Sequence, residues 1–126
     1  MNFFDAQTQR VDLIDRLSSY SGLVVACYCA VWCDTCNQYR PAFESLAARK
    51  PEQLFVWIDI EESEELLDDL DVENFPTILI QSETGNHFFG TMLPHVEHLE
   101  RLLAGLEGST DVVEDGPGPL KELLGN

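Results

Sequence analysis

The residues whose types and spacing point most directly to chemistry are Cys33 and Cys36, in the stretch Val31-Trp32-Cys33-Asp34-Thr35-Cys36. Two cysteines three apart at the first turn of a helix can close a small disulfide ring and open it again. The helix N-terminus adds unpaired backbone N–H groups and the positive end of the macrodipole, and both favour a thiolate over a thiol at Cys33. Cys33 is the candidate nucleophile. Cys36, one turn further in, is expected to face the interior, which suits a resolving thiol that attacks once a mixed disulfide has formed on Cys33. The rival for this spacing is a zinc site that recruits Cys27 and Cys29. Two of its ligands would then sit on one face of a buried strand, too rigid to wrap a tetrahedral ion, so no metal is assigned.

The elements that must hold this pair follow from periodicity. Residues 23–30 form a short apolar run bounded by Gly22 and Trp32, which predicts a strand buried on both faces in the middle of a sheet. A helix is expected from 33 towards 50, kinked at Pro41 and stopped by Pro51. Residues 54–60 read as a second buried strand, so strand, helix and strand make a parallel crossover unit. Ahead of it, Val11, Leu13, Ile14 and Leu17 recur at helical spacing in an amphipathic helix over 6–19, and residues 1–4 leave an extra edge strand undecided.

After it, Leu66, Leu67 and Leu70 predict a short helix within the acid-rich residues 61–71. Residues 77–81 and 87–89 read as an antiparallel hairpin turned at Thr84-Gly85-Asn86. Val96, Leu99, Leu102 and Leu103 mark a last helix over 94–106. The whole is an α/β fold over residues 1–106, a central mixed sheet flanked by helices on both faces. Residues 107–126, rich in Gly, Pro and acid, read as a flexible tail, with Leu120, Leu123 and Leu124 either frayed or forming a short docking turn.

Composition narrows the function. A formal net charge of −16, from 23 acidic against 7 basic side chains, argues against nucleic acid and anionic membrane surfaces as partners and favours basic or neutral clients. There is no apolar run of membrane-spanning length, and the N-terminal residues lack the basic-then-apolar pattern of an export signal. All four cysteines fall within ten residues and cannot form a long-range disulfide framework, so a cytoplasmic protein is expected. His87, His95 and His98 complete the titratable inventory; the last two are three apart on a helix but have no further ligands beside them.

Over roughly residues 6–106 the sequence resembles the thioredoxins and thioredoxin-like thiol-disulfide oxidoreductases. The likeness rests on Ala30-Val31-Trp32-Cys33-Asp34-Thr35-Cys36, on Pro41, on Val56-Trp57-Ile58-Asp59-Ile60, on Phe75-Pro76-Thr77 and on Phe88-Phe89-Gly90. It implies a thioredoxin-like fold, catalytic Cys33 and Cys36, and a cis Pro76 against the redox pair. Trp32, Phe75, Pro76, Thr77 and Gly90 would dock a substrate peptide. It further implies protein clients with disulfides, a thioredoxin reductase as a possible electron donor, no bound cofactor, and a monomer.

The departures from the family pattern are informative. Cys27 stands where the family usually has a buried acid that moves the proton of the second cysteine, and Trp57 stands where a lysine is common. The buried charge pair is thus absent, and resolution of the mixed disulfide is expected to be slower than in an ordinary thioredoxin. Cys29 replaces a tryptophan and is read either as a buried inert thiol or as a third redox-active thiol. Asp34-Thr35 replaces Gly-Pro, and a carboxylate beside Cys33 opposes the helix dipole, making the pair less oxidising. The function expected is reduction or exchange of protein disulfides through Cys33 and Cys36. Its rivals are a thioredoxin-fold adaptor that only binds, and a redox sensor without client turnover.

Overall fold

The computed structural model describes residues 2–68, 70–106 and 111–125. Five strands, β1 (Phe3–Asp5), β2 (Val24–Cys29), β3 (Leu54–Asp59), β4 (Thr77–Ser82) and β5 (Gly85–Thr91), form one sheet in the order β1-β3-β2-β4-β5. β1, β3 and β2 run parallel, and β4 and β5 are antiparallel to their neighbours, so the sheet is mixed as expected. The undecided N-terminal residues do form the edge strand, with Phe3 opposite Phe55.

β2 is central and every one of its residues is buried. Strand alternation sorts its side chains into two cores. Val24, Ala26 and Tyr28 face one layer, made by Leu13 and Leu17 of α1 (Arg10–Ser18) and by Leu120 and Leu124 of α4 (Leu120–Leu124). Val25, Cys27 and Cys29 face the other, with Cys36, Tyr39, Phe43 and Leu46 of α2 (Asp34–Arg49) and Leu99 and Leu103 of α3 (Val96–Leu106).

Three expectations differ from the structure. Val11 is 79% exposed, because it lies two residues, or about 200°, around the helix from Leu13, which carries the buried face. The short helix expected over 61–71 is a single 3₁₀ turn, Glu64–Leu67, which buries Leu66 and ends at Asp68 with φ 60°; Asp69 lies outside the described residues.

The third difference is at the C-terminus, where composition predicts a flexible tail from residue 107. Residues 107–110 lie outside the described residues, but 111–125 run back over the sheet. Val113 N–H donates to the Asn86 carbonyl at 2.7 Å, and the Asn86 amide donates to the carbonyls of Asp115 and Pro117. Gln81 accepts the Leu120 N–H at 2.9 Å and donates to the Gly118 carbonyl. His87, buried, donates from Nδ1 to the Asp111 carbonyl. Gly116 has φ 103° and packs against Asn86 and Phe89, a backbone shape and a closeness that a side chain would obstruct. Buried side chains of β4 and β5 thus satisfy the polar backbone of the Gly/Pro segment, and Leu120 and Leu124 complete the first core.

Candidate functional site

The site lies where β2 hands over to α2. The Cys33 N–H donates to the Ala30 carbonyl at 3.0 Å, and the Asn37 side-chain amide donates to the Val31 carbonyl at 3.1 Å, so the connecting loop is tied to both elements. Cys33 is the N-cap of α2, with an extended backbone (φ −91°, ψ 110°) and no capping bond from its thiol. That thiol is free and partly exposed. Asp34 and Thr35 are exposed beside it, and Cys36 is fully buried. Pro41 lies inside the same helix.

The disulfide joins Cys29 to Cys36, with Cα atoms 5.8 Å apart. The bond closed in this structure is thus not the expected Cys33–Cys36 ring, and its partner is Cys29, which the sequence reads either as an inert thiol or as a third redox-active one. The reason is geometric. Cys36 projects from the inner face of α2 onto β2, where alternation presents Cys29, while Cys33 sits at the rim as the N-cap. With Cys29 and Cys36 bonded to each other, two ligands of the four-sulfur zinc alternative are occupied.

Cys27 is buried and lies next to this bond, its Sγ 3.7 Å from that of Cys29. Cys29 has no proton to give, so Cys27 is the donor in this contact. Burial pushes the Cys27 thiol well above its ordinary range, which keeps it protonated. Cys27 pairs with Trp57 across β2 and β3, which puts the two departures from the usual buried charge pair opposite each other. Tyr39, one turn after Cys36, is also buried here, and its hydroxyl has no hydrogen-bond partner among the described residues. Burial raises its pKa first, and the charge that Cys27 would carry on ionising, together with that of Glu97, adds to the shift.

Beside Cys33 the exposed Asp34 and Thr35 are accompanied by apolar side chains. Trp32 is 65% exposed and packs edge-on against Phe75, ring centroids 5.6 Å apart, and Val31 and Leu93 are also exposed. Phe75 and Cys33 both border the second core. The Phe75–Pro76 peptide is cis. The pairing of β4 with both neighbours begins at Thr77, so Phe75 lies outside the sheet ladders. Thr77 is buried and donates to the Asn74 carbonyl. Gly90 sits further along β5, opposite Ile78, and lines with Thr77, Asp71 and Glu73 a groove of about 220 Å³ with an acidic rim.

Sequence reasoning missed one group near the site. Arg40 pairs with Asp5 at 2.9 Å, and its guanidinium lies 5.4 Å from the Trp57 ring centroid and 5.5 Å from that of Phe3. Asp5 also accepts backbone N–H bonds from Gln7 and Thr8. The pair roofs Trp57 and borders a cleft of about 220 Å³ that Val31 and Asn37 also line. Nothing local in the sequence marks two residues 35 positions apart as partners.

The thioredoxin family pattern matches residues 7–97. The chain belongs to the thioredoxin family. Among curated relatives it is 33% identical over 66 residues to thioredoxin H10 of Arabidopsis thaliana, covering 52% of this chain and 43% of that protein. It is 30% identical over 66 residues to a thioredoxin of Mycoplasmoides gallisepticum, covering 52% and 66% of the two chains. The match spans less than half of the Arabidopsis protein and 15% of the rat thioredoxin domain-containing protein 2. Among solved structures, a thioredoxin of Trypanosoma brucei brucei superposes with a TM-score of 0.68 at 21% identity, covering 85% of this chain and 92% of that one. A single-site mutant of a Halobacterium salinarum thioredoxin gives 0.66 at 25% identity, covering 89% and 94%. These place the fold, including its α2 and the strand before it, among thioredoxins.

Proposed function

We propose that this chain is a thiol-disulfide oxidoreductase that reduces protein disulfides. The observation that carries the reading is a free, accessible Cys33 at the N-terminus of α2, set one turn ahead of a buried Cys36 that already takes part in a disulfide. Once an external dithiol has reduced the Cys29–Cys36 bond, so that Cys36 again carries a thiol, the Cys33 thiolate attacks a client disulfide, forming a Cys33–client bond and releasing one client thiolate. Cys36 then attacks Cys33 Sγ, and the second client thiolate leaves reduced. The electrons for the next cycle come from an external dithiol, for which a thioredoxin reductase is the natural source in this family.

Exposed Val31 and Trp32, with the half-buried Phe75 against the Trp32 ring, supply an apolar surface for an unfolded or extended client segment, and the unpaired edge at Phe75 offers backbone for it to pair with. The acidic groove at Asp71 and Glu73 favours clients with basic residues near the disulfide. No helix among the described residues is long and apolar enough to cross a membrane, and the close clustering of the cysteines supports a reducing compartment such as the cytoplasm.

The test is a trap. A Cys36→Ser variant incubated with a disulfide-containing peptide is expected to accumulate a mixed disulfide mapped to Cys33. Absence of that adduct, with Cys33 unmodified, overturns the reading.

A further inference from the structure

We propose that Cys29 is a third catalytic thiol, which takes the disulfide over from Cys33 and stores it in the interior. This rests on the reading of Cys33 as the client-facing nucleophile. Three observations combine. Cys36 Sγ is bonded to Cys29, although Cys33 is only three residues from Cys36 in the chain. Cys29 and Cys36 are both buried, at 1% and 0% exposure, and Cys33 is not. Cys27 holds a proton 3.7 Å from the Cys29 sulfur, where its S–H steadies a Cys29 thiolate as the bond forms or breaks.

The exchange balances without any added oxidant. A client disulfide is reduced and leaves a Cys33–Cys36 bond. The Cys29 thiolate then attacks Cys36 Sγ, the Cys29–Cys36 bond forms, the Cys33–Cys36 bond breaks, and Cys33 leaves as thiolate. Over the step the proton of Cys29 ends on Cys33. The two electrons taken from the protein stay with the client, and the oxidised protein again shows an open Cys33 thiol.

Recharging runs the other way. An external thiol does not reach a bond between two buried sulfurs, so Cys33 must first attack Cys36, expelling Cys29 and bringing the disulfide to the surface. Cys33 is thereby the gate for reduction as well as for client attack. This replaces the usual task of a buried acid at position 27: the resolving sulfur is controlled by a second buried thiol instead of by a proton acceptor.

The experiment uses the full chain, reduced and then oxidised in parallel with insulin and with diamide. Each sample is quenched in acid, denatured, labelled with N-ethylmaleimide, then reduced and labelled with iodoacetamide, and the labels are located by tandem mass spectrometry. The expected oxidised product carries maleimide on Cys27 and Cys33 and acetamide on Cys29 and Cys36. A product with acetamide on Cys33 and Cys36 and maleimide on Cys29 overturns the proposal. Failure to reduce insulin sinks the functional reading, whereas the diamide sample still judges the resting place of the disulfide. In a second arm, Cys33→Ser is expected to slow reduction of the Cys29–Cys36 bond by glutathione by about tenfold or more. Equal rates in the variant and the parent protein remove the gating role and overturn the proposal.

Discussion

Cys36 is covalently tied to Cys29 on β2, seven residues before it, while Cys33 at the start of its own helix keeps a free thiol. A strand and a helix that pack face to face bring these sulfurs together, and the pairing follows burial and not the shortest spacing. Native protein in this state is expected to show one rapidly alkylated cysteine, Cys33. Denaturation should expose a second, Cys27. Thiol counting with a chromogenic disulfide before and after denaturant checks both numbers, and a native protein with no reactive thiol would contradict the placement of Cys33.

Stability is expected to fall in alkali. Burial raises the folded-state pKa of Cys27 above 9.0 and those of Tyr28 and Tyr39 above 10.0, so all three stay neutral in the folded protein where the unfolded chain begins to ionise. The folded state then binds more protons than the unfolded one. This contribution is complete below the unfolded values and is lost as pH rises towards the folded ones. Each group contributes a slope of about 1.4 kcal/mol per pH unit over its window. Denaturant melts between pH 8 and 11 should show the decline starting near 9 in the parent protein and near 10 in Cys27→Ala. A flat profile would contradict the assignment.

The Tyr39 hydroxyl is buried without a hydrogen-bond partner among the described residues. Removing an unsatisfied hydroxyl while keeping the ring should relieve a desolvation penalty. Tyr39→Phe is therefore expected to stabilise the oxidised protein by about 1 kcal/mol, raising Tm by roughly 4 °C. A drop in Tm would show that the hydroxyl has a partner in solution.

Leu120 and Leu124 close the core beneath α1 with 1% and 3% exposure. Leu120→Ala should cost about 2–4 kcal/mol, the range for truncating a buried leucine, and a urea melt measures it. An effect under about 0.5 kcal/mol, the size usual for exposed positions, would mean that α4 is not docked.

The layered fold was legible because its signals are periodic. The unbroken apolar run at 23–30 could only be a strand covered on both faces, and Leu99 and Leu103 kept helical spacing on the face that α3 buries. What was not legible depends on contacts between elements. The spacing of Cys33 and Cys36 is visible along the chain, but that Cys36 points at Cys29 depends on how α2 is seated on β2. Asp5 and Arg40 meet across 35 residues without a local pattern. At the C-terminus the Gly and Pro residues signalled loose chain, whereas its backbone is satisfied by groups distant in sequence, the side chains of Gln81, Asn86 and His87 among them.

The central claim is tested most directly by turnover of a protein disulfide. Insulin reduction by dithiothreitol is followed by turbidity, with the parent protein or with Cys33→Ser added in catalytic amount. Acceleration is expected from the parent protein, and a rate no higher than with dithiothreitol alone from Cys33→Ser. Insulin reduction unaffected by the parent protein, or equally fast with the variant, would contradict the assignment of Cys33 as the nucleophile of a disulfide reductase.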